Sequence, residues 1–166
     1  MASADCGVEF WKTQPSTGVG FNQDLANVLI RLENERRQTA GLGYLVPDEG
    51  LRQVAAGHAR NLVESGLWGS DGDLHIGSDG RTAEQRLRDA GITYHDYSET
   101  YATWGSLGDP CKLFEIFTPG HHGNYMGESS FEPGVLHDPL YHGTACYVDY
   151  DARVQVCVQD FIARPH

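Results

Sequence analysis

Lysine is almost missing from this chain. Of 166 residues only Lys12 and Lys112 carry an ammonium group, and no basic run occurs anywhere. With 12 Lys and Arg against 23 Asp and Glu, the net charge is −11. Nucleic acid and anionic membrane surfaces are bound by clustered cations that neutralise phosphates, so both are excluded as main partners. Long apolar runs are missing as well: no stretch approaches the roughly 20 residues of a membrane span, and a transmembrane protein is not expected. The opening Met1-Ala-Ser-Ala-Asp-Cys has neither the basic head nor the apolar segment of a signal peptide. Common catalytic signatures are also lacking. There is no His pair spaced by four around a Glu, no Gly-x-Ser-x-Gly elbow, no phosphate-cradling Gly-rich loop and no EF-hand.

Histidine, by contrast, is plentiful. Six of the eight His fall between His75 and His142, which is either ordinary surface polarity or metal affinity. The four Cys stand at 6, 111, 146 and 157. Cys146 and Cys157 flank a turn near Asp151-Ala152, so a hairpin would set them opposite one another at bridging distance. Cys6 and Cys111 would then pair with each other. Four Cys allow three connectivities, and free buried thiols are a further alternative. The even count favours an oxidising compartment and a secreted protein whose leader has been removed.

At this length one domain with a real core is expected. Residues 1–20 read as an N-terminal arm without a core of its own, and residues 21–166 as the domain. Asn22 caps a helix whose Leu25, Val28, Leu29 and Leu32 share a face, ending at Gly41 and Gly43. Pro47-Asp48-Glu49 opens a second helix ending at Gly66. Its apolar stripe contains His58, which is read as a buried ring bonded to a carbonyl. The turn tetrapeptides Gly69–Gly72 and Gly77–Gly80 present His75 from a loop. Thr82 and Gln85 form a capping box for a third helix. Ile92-Thr93-Tyr94 is β-like, and Asp109-Pro110 starts a short helix over Cys111–Phe117. Thr118-Pro119 then looks like a fresh helix start, with His121 and His122 in the electropositive field of its first turn. An alternating hairpin over 144–149 and 153–161 completes the chain. Helices early and strands late give an α+β fold with an antiparallel sheet.

His75, Glu99 and His121 are the candidate site. Their separations of 24 and 22 residues do not by themselves establish contact. Two neutral imidazoles suit a divalent transition ion such as zinc, and two protein ligands leave coordination positions open. Glu99 would be a ligand, an orienter of one imidazole, or a general base toward bound water.

The ordered motifs resemble the CAP superfamily of cysteine-rich secretory, antigen 5 and pathogenesis-related 1 proteins, in its bacterial single-domain form. Leu25 to Leu45, with Asn34 and Arg37, resembles the opening LxxVLxxxNxxRxxxGLxxL helix. Leu51 to Ala59, with His58, resembles LxxxAxxHA. His75 to Gly91, through Asp79-Gly80-Arg81-Thr82 and Arg86, resembles HxxxDGRTxxxRLxxAG. Ser98-Glu99-Thr100-Tyr101-Ala102 stands where GENIA is usual, and Asp109-Pro110 with Thr118 to Met126 resembles DP…SPGHRxNIL. The likeness runs from about Phe21 to Phe161. It implies a three-layer α-β-α sandwich with a central antiparallel sheet, and a surface cleft holding His75, His121 and Glu99. The second acid of eukaryotic members falls near Thr118, which does not ionise, with Glu115 one turn earlier. The Asn of GEN is replaced by Thr100. His122 is expected to face solvent, and His137 and His142 to lie in the region after Met126.

Three functional classes follow. The first is a secreted module whose cleft binds a divalent ion, zinc by preference, together with an extracellular ligand: a small molecule, a lipid or a protein. The second is a metal-assisted, protease-like hydrolase with His75, His121 and Glu99 as its catalytic set and Glu99 as general base. The third is a surface-interaction protein in which the His cluster is vestigial.

Overall fold

A computed structural model describes residues 9–165. Its elements are β1 (Val19–Phe21), α1 (Gln23–Thr39), β2 (Val46–Pro47), α2 (Glu49–Glu64), α3 (Ala83–Asp89), β3 (Asp96–Trp104), α4 (Pro110–Met126), β4 (Tyr141–Asp149) and β5 (Val154–Ala163). Each helix begins where a short polar side chain satisfies free backbone N–H groups. Asn22 Oδ1 accepts from Leu25 N at 2.9 Å, and Asp48 Oδ1 accepts from Leu51 N at 2.9 Å. Thr82 and Gln85 form the expected capping box, and Asp109 Oδ1 accepts from Cys111 N at 2.9 Å.

The sheet runs in the order β1-β4-β5-β3, antiparallel throughout, with the two-residue β2 added in parallel to β4. Helices α1 and α4 cover one face, where Leu25, Leu29, Phe114 and Tyr125 pack with Cys157 and Phe161. Helix α2 covers the other, where Ala55, Ala59 and Leu62 meet Val154, Val156 and Val158. The alternate residues of β5 therefore enter two different cores, which is why the whole strand is buried. The result is the expected α+β sandwich of three layers.

Cys146 and Cys157 face each other directly across β4 and β5 and are joined by a disulfide. The other expected bridge, Cys6–Cys111, involves a residue outside the described ones. Within the expected arm, Phe10 is buried in the α1/α4 core and β1 extends the β4 edge.

Two local expectations need correction. Ile92-Thr93-Tyr94 is not a strand. Ile92 and Tyr94 pack against Leu51, Leu87 and Ile162, and pairing with β5 begins only at Asp96. Nor does a helix start at Thr118. A single helix runs from Pro110 to Met126 with Pro119 inside it. An interior proline costs about 3 kcal/mol, but this helix is held on both sides of it, by buried Phe114 and Phe117 before and by Tyr125 and Met126 after. Arg37, fully buried, donates to the Tyr125 and Met126 carbonyls at 3.1 and 2.9 Å and so caps its C-terminal end. The electropositive helix start lies at Pro110, about three turns before His121.

Gly143 on β4 sets the spacing between the sheet and α2. A Cβ there would overlap the backbone of Leu51 and Arg52, neither of which can swing aside. Gly143→Ala is expected to destabilise the fold by about 3 kcal/mol or more, read from the midpoint of urea unfolding followed by circular dichroism. A variant of unchanged midpoint would contradict this packing.

Candidate functional site

The site is built around the open edge of the sheet. β3 pairs only with β5, so its other edge is bordered by the loop carrying His75 on one side and by α4 on the other. His75 is held in a tight turn in which its N–H donates to Asp73 Oδ1 at 2.9 Å. Its ring stands edge-on to Tyr101 at 4.7 Å. His121, on α4, stacks on Phe117 with ring centroids 4.2 Å apart, and its Nδ1 donates to the Phe117 carbonyl at 2.9 Å. His75 and His121 line one cavity of about 350 Å³, together with Tyr101, Thr103, Trp104 and Phe117.

Glu99 lies beneath this cavity and is almost wholly buried. Arg86 Nη2 donates to both of its oxygens at 2.7 Å, and His75 Nδ1 donates to Oε1 at 3.0 Å. Burial alone would favour the neutral acid. The His75 hydrogen bond and the Arg86 guanidinium outweigh it and hold the Glu99 pKa down at about 2. Ionised, Glu99 only accepts, so the His75 proton resides on Nδ1. His121 is fixed in the same tautomer, because a carbonyl oxygen also only accepts. In the neutral form of either ring the lone pair is therefore on Nε2.

His58 behaves as its apolar position suggested. It is 2% exposed and its Nε2 donates to the Leu74 carbonyl at 2.7 Å. It nonetheless borders the site, with Nε2 3.8 Å from Glu99 Oε1. The sequence reading missed the roles of Arg86 and Asp160. Arg86 was visible as part of a motif. A charged residue on the inward face of a seven-residue helix, one residue before buried Leu87, is the pattern that could have flagged it. Asp160 stands beside Glu99 in the β3/β5 register and is 1% exposed. Burial, and then the charge of Glu99, push its pKa well above the ordinary range.

Other candidates fall away from the cavity. Thr118 is buried and its hydroxyl meets the Tyr125 hydroxyl. Glu115 pairs with Arg36 of α1 at 3.1 Å and does not stand in for a second cleft acid. His122 faces solvent. His137 bonds Asp96 at 2.8 Å, and His142 is buried against Thr144 with its pKa lowered by burial to about 4. Asn124 Nδ2 donates to Thr100 Oγ1, at the altered GEN triplet, at 2.7 Å and ties α4 to β3.

Among the described residues, no three His, Cys, Asp or Glu side chains are arranged to hold a metal ion. Any ion at this cavity would rest on the two imidazoles, with solvent or ligand completing its shell. No helix of the described residues is long and apolar enough to cross a membrane.

By sequence, the chain matches no protein-family model and no curated protein. By structure it is similar to an extracellular SCP-domain protein of Bacillus anthracis (19% identity, TM-score 0.59), covering 86% of this chain and 41% of that one. It is also similar to an outer surface protein of Borrelia burgdorferi (18%, TM-score 0.66), covering 88% and 98%. A third likeness is to a cysteine-rich secretory protein of Staphylococcus aureus (16%, TM-score 0.54), covering 86% and 39%. The chain thus spans about two fifths of the Bacillus and Staphylococcus chains. At these identities the likeness is one of fold, and the fold is that of the SCP, or CAP, domain.

The Glu99–Asp160 pair gives a signed pH dependence. In the folded state Asp160 keeps a proton that the unfolded chain loses above its ordinary pKa of 3.8. Its contribution to stability is therefore fully present below that pH and is lost as pH rises. Asp160→Asn keeps the site uncharged without that proton. Relative to the wild type it is expected to gain stability as pH rises above roughly 4. Urea unfolding of both proteins across this range measures it, and parallel profiles would contradict the assignment.

Proposed function

We propose that this chain is an extracellular binding domain whose cleft takes a divalent ion, zinc by preference, through His75 Nε2 and His121 Nε2, and presents it to an extracellular ligand. One observation carries the reading. Two imidazoles line one cavity, and each has Nδ1 committed to an acceptor, Glu99 Oε1 for His75 and the Phe117 carbonyl for His121. Ligating His residues use this arrangement, because the outer hydrogen bond fixes the ring and the tautomer and raises the basicity of the other nitrogen. Glu99 in this reading orients His75 and is not itself a ligand, since Arg86 occupies both of its oxygens. The extracellular setting is supported by the surface and secreted proteins that share the fold and by the disulfide.

The hydrolase reading asks Glu99 to take a proton from water near neutral pH. A carboxylate held at about 2 is a weak base for that task, and its lone pairs already point at Arg86 and His75. The binding reading needs no such step.

Zinc titrated into the protein by calorimetry at neutral pH is expected to bind once per chain. His75→Ala and His121→Ala should each weaken it by about 100-fold or more, the upper end of what an outer-shell loss costs. Affinity should also fall on acidification, since protonated imidazoles do not ligate. Zinc binding that both variants leave unchanged, or no uptake by the wild type, would sink the proposal. Peptide hydrolysis lost in Glu99→Gln with zinc still bound would favour the hydrolase.

A further inference from the structure

Backbone alternation in the sheet fixes which groups of β3 are left without a partner. In an antiparallel pair every second residue turns its N–H and C=O toward the neighbouring strand. Asn22 N donates to the Cys146 carbonyl and Tyr150 N to the Gly18 carbonyl, so the even residues of β4 bond toward β1 and its odd residues toward β5. With Ala145 opposite Val158, the even residues of β5 face β4 and its odd residues face β3. With Ala102 opposite Cys157, the even residues of β3 bond to β5, and Tyr101 and Thr103 turn both backbone groups to the open edge. Glu99 obeys the same rule, and its outward carbonyl accepts from Asn124 Nδ2 of α4 at 3.4 Å. At Tyr101 and Thr103 no such partner stands among the described residues. The His75/His121 cavity lies over this stretch of edge. Tyr101 packs with the core on the α2 side, and Ala102 and Trp104 with the core on the α1/α4 side. A cavity lined by Tyr101 and Thr103 as well as by Ala102 and Trp104 touches both faces of β3. With β5 along the other edge, it reaches both faces only by wrapping the open one.

We propose that this cleft binds an extended polypeptide segment, which adds to β3 as one more strand through the N–H and C=O groups of Tyr101 and Thr103. The proposal rests on the reading of the cavity as a ligand site and adds the class of ligand. Tyr101 and Thr103 each offer a donor and an acceptor, about 7 Å apart, which is the two-residue repeat of an extended chain. Main-chain pairing of this kind supplies affinity, and contacts to alternate side chains supply specificity. Ligand side chains on one face meet His75 and Tyr101, and those on the other meet Trp104, Phe117 and His121. Among the described residues no Lys, Arg, Asp or Glu lines the cavity, so the wall offers no fixed charge to a phosphate or a lipid headgroup. An uncharged main chain is the matched partner. Native proteins charge or cover a strand edge that they do not use, and from Tyr101 to Trp104 no charged side chain guards this one.

Backbone amide hydrogen exchange, followed by NMR, tests this residue by residue. In the free protein the Tyr101 and Thr103 amides should exchange fast and those of Thr100 and Ala102 slowly. A blocked five-residue peptide of alternating threonine and valine, at about millimolar concentration, should slow exchange at Tyr101 and Thr103 by about tenfold or more. The same peptide with its three central amides N-methylated should give no protection. Thr103→Pro removes one outward donor at a position where an edge strand tolerates proline, and should weaken the unmethylated peptide by about tenfold, read at Tyr101. Slow exchange at Tyr101 and Thr103 in the free protein, no protection by the peptide, or equal protection by its methylated form would each overturn the proposal. So would unchanged affinity in a folded Thr103→Pro; if that variant does not fold, the methylated peptide decides. Repeating the exchange with zinc and with a chelator separates this proposal from the metal site. Peptide protection in a protein that takes up no zinc would sink the metal reading and support this one, and zinc uptake without protection would do the reverse.

Discussion

The buried ion pair between Arg86 and Glu99 is the interaction on which the rest of the site depends. Helix α3 has seven residues, too few to be stable by itself, and its place on the protein is fixed by what Arg86 reaches. That one guanidinium bonds the Glu99 carboxylate on β3 and the carbonyls of His75 and Arg81 in the preceding loop. Glu99 in turn bonds the His75 ring. Strand, loop and helix are thus registered by a single charge pair, and the loop that would otherwise wander presents its imidazole at a fixed place. Burying such a pair gains little net stability, because desolvation offsets most of the attraction. What it supplies is geometry.

The same pair acts as a partition. On one side His75 and His121 line a cavity over the edge of β3; on the other, His58 and Arg86 belong to the wall of the cavity between α2 and α3. Asp160 sits behind Glu99 and stays neutral because a second negative charge at 1% exposure has no further cation to meet it. The division of labour between the two carboxyls comes from the position of one arginine: Glu99 receives it and ionises, and Asp160 does not.

Much of this could be read in the chain beforehand, and the reason differs by element. The caps of α1, α2 and α3 are local chemistry, so Asn22, Asp48 and Thr82 announced themselves. The Cys146–Cys157 pairing followed from hairpin symmetry alone. His58 followed from its apolar neighbours. By contrast, Thr118-Pro119 obeys every local rule for a helix start and is overridden by tertiary packing, with Phe114 and Phe117 on one side of the proline and Tyr125 and Met126 on the other. Asp160 was invisible because the alternating pattern of β5 looks the same whether a carboxylate faces solvent or a second layer of helix. Only knowing that α2 covers that face reveals it as buried. The meeting of His75 with Glu99 depends on Arg86, and pairing over long sequence distances has no local signal.

The strand order has a temporal consequence. Strands β1 and β2 pair only with β4, and β3 pairs only with β5, so no rung of the sheet can close before residues 141–163 exist. Arg37 in α1 bonds the nearby Gly43 carbonyl, but its remaining acceptors come only at residues 125–138. A nascent chain up to about residue 140 therefore has helices that can meet one another, as α1 and α4 do, but no sheet to pack them on, and its sheet waits on contacts remote in sequence. Such a chain stays threadable for most of its synthesis. A protein with these pairings closes its sheet only once the final hairpin has been made.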